Sequence, residues 1–300
     1  MKIKRVSYFK DPESDRAWLE EWAAHMSAFT GNRYIKNAVK TSLGTTVVYT
    51  IPESAEQNKP IFIFPGYRTS ALFWDLKGGL DILSRSFKPY LVETNGQPNL
   101  SDGNSPDIYG LDYGHWASEV ITAFTDEPVY IAGASFGGLI CMKLGIAHPE
   151  QIKAAFLVNP AGLRTFSLNF KNVFFNLLPI VSPQDEMIQR FQDEIVLNPP
   201  HHTIAETAYK LMAAFVHHAI SRHIDHNQKP YYMGEELSKV EIPVHLLLGD
   251  ADVLFPYKQS LQNAQKYLPQ LVSYHILTDM GHGMETDYSV AELIVELSGN

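Results

Sequence analysis

The sequence predicts a single α/β domain built on a mostly parallel, doubly wound sheet. Short apolar runs rich in β-branched and aromatic residues alternate along the chain with longer segments of helical periodicity, as strands alternate with crossover helices. The 300 residues are 45% hydrophobic, which is enough to bury one large core together with an insertion. Nothing in the composition marks a boundary between two independent domains.

The predicted elements begin with an amphipathic helix at 11–29, which forms an extension over residues 1–33 ahead of the sheet. We expect this helix to pack on the outside of the domain; shielding of the functional site or a dimer contact are the alternatives. Strands are expected at 34–43, 45–51, 60–64, 87–93, 129–131, 154–159, 243–248 and 272–278, and helices of the sheet region at 111–124 and 139–147.

The most specific motif lies around Ser135, where the letters GASFG match G-x-S-x-G between an apolar strand and a helix that ends at His148. Glycines two residues either side of the serine make room where the strand and helix backbones crowd together, and the sharp turn exposes the hydroxyl. The start of a helix also presents free N–H groups to an anion. The alternative is an ordinary glycine-rich turn in a nucleotide-binding α/β protein.

Two later loops carry the groups that a serine nucleophile needs, a general base and a residue that orients it. The strand at 243–248 runs into a loop that contains Asp250 and Asp252. The last strand runs into a loop where His282 stands between two glycines, which leaves the imidazole free to reach Ser135.

The motif and the chain order Ser, Asp, His resemble those of the α/β-hydrolase superfamily, and within it the small bacterial carboxylesterases, over about residues 34–298. The resemblance implies that Ser135 is the nucleophile, that His282 is the general base and then the acid, and that Asp252 is the partner of the histidine. It also implies an α/β-hydrolase fold.

Asp250 is the alternative partner for the histidine. We prefer Asp252 because the acid of the family usually stands three residues after a glycine and four before a proline, as Asp252 does between Gly249 and Pro256. Asp250 is then expected to cap the strand end or the loop.

The predicted oxyanion loop departs from the family pattern, because Pro65 stands where a histidine usually precedes Gly66. The resemblance assigns the two donors to the backbone N–H groups of Tyr67 and Phe136, and neither depends on the missing imidazole. The effect of Pro65 on the first donor is left open. Trp74 lies where these enzymes often carry an aromatic residue under the loop, with a core tryptophan as the alternative.

Residues 160–240 interrupt the doubly wound pattern over a length that is too great for a connecting loop. Helical stretches at 168–178, 185–195 and 203–223 fit the cap that α/β-hydrolases carry, so we predict a cap at 161–240 and a core at 34–160 and 241–300. An apolar cap over the serine would bind an apolar acyl or alcohol group mainly by burial. The pocket candidates are Gly66, Trp74, Phe166, Phe170 and Phe174.

The composition disfavours two classes of partner. The net charge of −9, without a basic stripe, disfavours nucleic acids and anionic membranes.

Cys141 is the only cysteine, so we expect no disulfide and a packed thiol on the helix behind Ser135. The amino-terminal residues precede no apolar signal region, and no run of 18 apolar residues occurs, so a cytoplasmic location is expected.

No cofactor or metal is expected. The sequence contains no G-x-G-x-x-G, Walker A or cofactor-lysine motif. Six histidines in the predicted cap lack the H-E-x-x-H arrangement of a zinc enzyme, and we interpret them as solvated helix and loop residues. They are His201, His202, His217, His218, His223 and His226.

These observations favour a cofactor-free serine hydrolase, a carboxylesterase that acts on small to medium apolar esters through an acyl-serine. A lactonase, a thioesterase, a C–C bond hydrolase or an aminopeptidase would use the same residues. An aminopeptidase needs acidic groups for a peptide amine, and the one candidate pair, Glu235-Glu236, is expected to be solvated. A non-catalytic ligand-binding protein of the same fold is the alternative from another class. The expected partner is a small molecule; a homodimer is left open.

Overall fold

The computed structural model describes residues 3–31, 33–51, 59–167, 183–226 and 229–299. The strands are β1 (Arg5–Val6), β2 (Tyr8–Phe9), β3 (Ile35–Thr41), β4 (Gly44–Thr50), β5 (Lys59–Phe64), β6 (Phe87–Val92), β7 (Asn104–Ser105), β8 (Val129–Ala134), β9 (Ile152–Val158), β10 (His223–Ile224), β11 (Val244–Gly249) and β12 (Leu271–Leu277). The α-helices are α1 (Pro12–Thr30), α2 (Gly79–Leu83), α3 (Asp112–Thr122), α4 (Phe136–Ala147), α5 (Asp185–Phe191), α6 (Glu206–Arg222), α7 (Tyr257–Tyr267) and α8 (Tyr288–Leu297).

Eight strands form one sheet in the order β12-β11-β9-β8-β5-β6-β4-β3. β3, β4 and β6 pair antiparallel, and every pair from β6 to β12 is parallel. This is the mostly parallel sheet of the α/β-hydrolase fold, as predicted. The carboxyl ends of the parallel strands lie at one edge, so the loops after β5, β8, β9, β11 and β12 meet there.

The two faces of the sheet are covered by separate hydrophobic clusters, which explains why the central strands are apolar on both sides. One cluster joins α3, α4 and α7 to the sheet, with Trp116 and Phe136 among its fully buried members. The other joins α1, α2, α6 and α8, with Trp22 and Phe215 among its members. The edge of the sheet at which these loops meet is therefore supported from both faces.

The amino-terminal helix α1 is fixed at both ends by its sequence, since the Asp11 side chain accepts from Ser14 N–H and Gly31 closes the helix at φ 97°. Its buried side lies partly on α6. Trp22 Nε1 donates to the Leu211 carbonyl over 3.0 Å, and β2 pairs with β10 just after α6. The amino-terminal extension therefore contacts a segment of the predicted cap, a partner that the sequence does not indicate.

Several predicted helices have different bounds in the structure. α4 begins at Phe136, directly after the serine, and not at 139, because glycines allow the helix to start against the neighbouring strand: a Cβ on Gly137 would lie 2.0 Å from the Phe64 carbonyl oxygen. The helix expected at 185–195 divides into α5 and a π-helical turn, Gln192–Val196. The helix expected at 168–178 lies outside the described residues. Within the described ranges, no helix is long and apolar enough to cross a membrane.

The contact between α1 and the rest of the molecule gives a stability prediction. Trp22 is 5% exposed, so Trp22→Ala should lower the free energy of unfolding by about 3–5 kcal/mol, through lost burial and an unfilled cavity. Phe29 on the same helix is 38% exposed, so Phe29→Ala should change the free energy of unfolding by less than about 0.5 kcal/mol. Urea unfolding followed by circular dichroism measures both, and equal effects would contradict the packing described.

Candidate active site

Ser135 lies in the turn between β8 and α4 with φ 49° and ψ −112°. A positive φ is unfavourable for a residue with a side chain, so the surrounding structure must hold it. The backbone N–H of Ser135 donates to the Val158 carbonyl over 3.0 Å, and its own carbonyl accepts from Ala161 N–H over 2.9 Å. The turn leaves Ser135 partly exposed while residues 131–134 and 136–140 are buried.

His282 and Asp252 form a hydrogen-bonded pair at the same edge of the sheet. The distance from His282 Nδ1 to Asp252 Oδ2 is 2.8 Å, and the Asp252 side chain is fully buried. The other carboxylate oxygen, Oδ1, accepts from the N–H groups of Leu254 and Phe255 over 2.8 and 3.0 Å. Asp250 is exposed and accepts from a different group, the N–H of Asp279, over 2.7 Å. The structure thus brings Asp252 to the histidine and leaves Asp250 capping the loop.

The surroundings of His282 favour its protonated form. Burial lowers the pKa of His282, but the charge of Asp252, the hydrogen bond to it and the charge of Glu285 together raise that pKa above its ordinary value. Because Asp252 accepts from Nδ1, the basic nitrogen is Nε2. In the described residues, no hydrogen bond joins Nε2 to Ser135 Oγ.

The loop after β5 contacts the serine through Gly66. A Cβ on Gly66 would lie 3.6 Å from Ser135 Cβ and 3.2 Å from Thr69 Oγ1. The Gly66 carbonyl accepts from Thr69 Oγ1 over 2.9 Å, and Arg68 N–H donates to Gln97 Oε1 over 2.8 Å. These bonds fix the loop on either side of Tyr67, although Pro65 replaces the usual histidine.

Tyr67 is held from its side chain. Its hydroxyl donates to Asp225, and its ring lies edge-on to the ring of Phe136 at 6.0 Å. Burial, followed by the charge of Asp225, raises the pKa of Tyr67 well above its ordinary range, so the phenol stays protonated as a donor. Within the described part of the chain, Tyr67 N–H has no acceptor. Phe136 is the first residue of α4, where helical N–H groups also lack partners.

Asn159 is a site residue that sequence reasoning missed. It follows β9 with φ 39°, and it is 1% exposed. Its Oδ1 accepts from Gly249 N–H over 2.8 Å, and its Nδ2 donates to the carbonyls of Gly281 and His282, both over 3.0 Å. One amide side chain therefore ties the loop of Asp252 to the loop of His282. The signal in the sequence was a polar residue that closes an apolar strand.

The pocket candidates lie in different places. Phe166 is half-buried, and its ring lies 6.3 Å from that of Phe255, which in turn lies 5.5 Å from the His282 ring. Trp74 is 2% exposed within the cluster that contains α1 and α8. Phe170 and Phe174 lie outside the described residues.

The expectation of solvated polar residues in the predicted cap is partly wrong. His202 and His223 are buried, at 0% and 5% exposure. The loop of His282 covers His202, and Phe9 of the amino-terminal segment packs on His223. Glu236 is not solvated either, since it forms a 2.6 Å ion pair with the buried Lys143 of α4. Among the described residues, no group of three acidic, histidine or cysteine side chains could hold a metal ion.

Known proteins resemble this chain in sequence and in fold. The Hydrolase_4 family model, described as serine aminopeptidase S33, matches residues 101–288. The uncharacterized carboxylesterase nap of Bacillus subtilis strain 168 is 23% identical, over 81% of this chain and 79% of that protein. The human mitochondrial palmitoyl-protein thioesterase ABHD10 is 26% identical, over 66% of this chain and 60% of that protein.

The crystal structure of carboxylesterase CesB (YbfK) from Bacillus subtilis superimposes with a TM-score of 0.78 at 16% identity, and the match covers 96% of this chain and 99% of that one. At this identity the superposition establishes the α/β-hydrolase fold. The family model spans more than half of the chain, including the residues from Ser135 to His282. By that match, the chain belongs to the serine aminopeptidase S33 family of hydrolases, Hydrolase_4.

Proposed function

We propose that the protein is a serine carboxylesterase that hydrolyses small to medium apolar esters through an acyl-serine intermediate. The observation that carries the proposal is the strained Ser135 turn at the sheet edge that also holds the Asp252–His282 pair. The names of the carboxylesterase relatives support the same chemistry.

In the first half-reaction, His282 Nε2 takes the proton of Ser135 Oγ as the oxygen attacks the ester carbonyl carbon. The carbonyl oxygen becomes an oxyanion, which accepts hydrogen bonds from the backbone N–H groups of Tyr67 and Phe136. Collapse of this intermediate breaks the bond to the alcohol oxygen, which takes the proton from His282. The acyl group stays on Ser135.

In the second half-reaction, water attacks the acyl carbon while His282 takes a water proton. The collapse returns that proton to Ser135 Oγ and releases the carboxylic acid. Asp252 stays ionised through both steps, keeps Nδ1 protonated and stabilises the imidazolium. Asn159 keeps the two loops together, because its amide contacts Gly249, three residues before the acid, and the carbonyls of Gly281 and of His282 itself.

We infer that residues 161–240 form a cap inserted into a core of residues 34–160 and 241–300, with residues 1–33 as an extension. Two observations support this division. The ends of the insertion meet, since Met233 N–H donates to the Gly162 carbonyl over 2.9 Å. The insertion also leaves after β9 and returns before the neighbouring β11, so it does not interrupt the sheet.

The apolar side chains beside the base favour an apolar substrate group. Phe255 lies against the His282 ring, and Phe166 of the cap lies against Phe255. Burial of an acyl chain on such rings contributes about 25 cal/mol per Å² of apolar surface removed from water. We therefore expect the ester preference to rise with chain length until the cap limits it.

A thioesterase is the second candidate, on the similarity to the palmitoyl-protein thioesterase. The same residues would attack a thioester carbonyl, and the leaving thiolate needs less help from His282 than an alkoxide. An aminopeptidase is less well supported, because Glu236 is engaged by Lys143 and Glu235 is exposed.

The nucleophile is tested with Ser135→Ala, which should lower kcat on p-nitrophenyl esters from acetate to dodecanoate by about 10⁶-fold, because no acyl-enzyme can form. Labelling by a fluorophosphonate probe should disappear in the same variant. Ser238→Ala, an exposed serine, is the matched control and should retain both. Parallel assays with acyl thioesters and amino-acid p-nitroanilides rank the alternatives. Undiminished ester hydrolysis in Ser135→Ala would disprove the mechanism.

The acid is tested by comparing Asp252→Asn with Asp250→Asn. Asp252→Asn should reduce kcat by roughly 10³–10⁴-fold, because an amide in place of the carboxylate no longer stabilises the imidazolium or fixes its tautomer. Asp250→Asn keeps an oxygen for the Asp279 N–H and should leave kcat unchanged. Steady-state kinetics decide, and the reverse order of effects would assign the role to Asp250.

The charge of Glu285 gives a pH prediction. Burial raises the pKa of Glu285 to about 7, and its carboxylate, when ionised, raises the pKa of His282. Glu285→Gln removes that charge, so the pKa of His282 should fall, and the acid limb of the kcat/KM profile should move to lower pH. The profiles should converge well below pH 7, where Glu285 is neutral in the wild type.

Glu292→Gln, an exposed change on α8 with the same loss of charge, is the control for Glu285→Gln and should leave the limb in place. A limb that stays fixed, or moves to higher pH, in Glu285→Gln would show that this carboxylate does not act on His282.

A further inference from the structure

The loop that carries His282 rests on a segment of the insertion. We call residues 279–286 the His282 loop and residues 196–202 the cradle segment. Gly283 N–H donates to the Val196 carbonyl over 2.8 Å, and Asn198 Nδ2 donates to the Asp279 carbonyl over 3.0 Å. The cradle segment therefore contacts the His282 loop on both sides of the histidine.

The backbones of the two segments lie so close at Gly281 that a side chain there would clash with the cradle segment. A Cβ on Gly281 would lie 2.7 Å from the carbonyl oxygens of both Val196 and Leu197. Only glycine fits this contact, which gives the residue before His282 a structural requirement. A loop packed so closely has its path set by the cradle segment.

His202 closes the contact with its side chain. It is fully buried, its Nδ1 accepts from Gly281 N–H over 3.3 Å, and its Nε2 lies 3.1 Å from Thr286 Oγ1. The Thr286 hydroxyl donates to the Gly283 carbonyl over 2.9 Å, so it accepts from His202. These bonds require the neutral tautomer with the proton on Nε2.

The charges around His202 are consistent with that neutral form. Burial lowers the pKa of His202 to about 4; the nearby Asp287 raises it and Lys77 lowers it. Lys77 and Asp287 form a 2.6 Å ion pair, so their charges largely offset each other at His202. The imidazole therefore keeps its acceptor for Gly281 N–H throughout the range in which the His282 base works.

We propose that His202 is a positioning residue for catalysis: by joining Gly281 to Thr286, its neutral imidazole holds the His282 loop in the shape that aims the base at Ser135. The inference rests on the proposed hydrolase function. It also makes the insertion part of the catalytic machinery, because His202 lies between α5 and α6 and not in the sheet core. Removal of the His202 imidazole displaces the base and not the groups that bind the substrate. We therefore expect kcat to fall and KM to stay nearly constant.

Three variants test the two hydrogen bonds of His202, to Gly281 N–H and to Thr286 Oγ1, separately. His202→Leu removes both, His202→Asn keeps an acceptor near the position of Nδ1, and His202→Gln keeps a donor near that of Nε2. His202→Leu should lower kcat on a p-nitrophenyl ester by about 10- to 100-fold, with KM within about twofold, because a displacement of about 1 Å at the reacting groups has this effect. His202→Asn should recover part of the loss.

His245→Leu is the matched control. His245 is also a buried imidazole with a side-chain bond, 2.9 Å to Ser273, but it lies near the start of β11, at the opposite end of the strand from the active site. It should lower the melting temperature as His202→Leu does and leave kcat unchanged. The rate of fluorophosphonate labelling should follow kcat in all four variants.

Wild-type kcat in folded His202→Leu, or equal losses in His202→Leu and His245→Leu, would overturn the inference and leave the proposed hydrolase function intact. If the wild type neither hydrolyses esters nor reacts with the probe, the proposed function fails instead. The low-field proton signal of His282 Nδ1–H, bonded to Asp252, then decides the positioning claim. A signal changed by His202→Leu and kept by His245→Leu supports it, and a signal unchanged in both overturns it.

Discussion

The buried carboxylate of Asp252 is the constraint on which the rest of the site depends. An ionised carboxylate without solvent exposure is costly unless each oxygen has donors. Here two backbone N–H groups, from Leu254 and Phe255, satisfy one oxygen and His282 satisfies the other. The hydrogen bond to Asp252 therefore fixes both the tautomer and the position of the imidazole, and it makes Nε2 the basic nitrogen.

The second constraint is the backbone strain at Ser135 and Asn159, both of which have positive φ without being glycine. Each such residue costs of order 1–3 kcal/mol, and the parallel strands provide the bonds that hold it. Ser135 is fixed by Val158 and Ala161, and Asn159 by Leu247 and by its own side chain. In both cases the strain lies where the chain leaves the end of a strand, and it leaves Ser135 partly exposed and directs the buried Asn159 amide to the loops of Asp252 and His282.

The sequence predicted the sheet, the serine turn and the residues of the Asp252–His282 pair, because these depend on local patterns: apolar runs, glycine spacing and loops after strands. It did not predict Asn159 or the burial of His202, because both act through contacts between segments far apart in the chain. A single polar residue carries no period, and nothing near His202 in the sequence shows that Gly281 lies against it. The contact between α1 and α6 was not indicated for the same reason, since the bonded residues Trp22 and Leu211 lie 189 positions apart.

The insertion contacts two loops of the site, those of Tyr67 and His282, and these contacts limit how the sequence of the insertion can vary. Asp225 accepts a hydrogen bond from the Tyr67 hydroxyl in the loop after β5, and His202 accepts one from Gly281 N–H in the His282 loop. A segment that only covered the pocket could change freely with the substrate. A segment that also holds the loops of Tyr67 and His282 is more constrained, because a shift of about 1 Å at a reacting group can lower the rate by about 10²-fold. Under the proposed hydrolase function, residues 196–225 therefore couple substrate selectivity to the positions of the reacting groups.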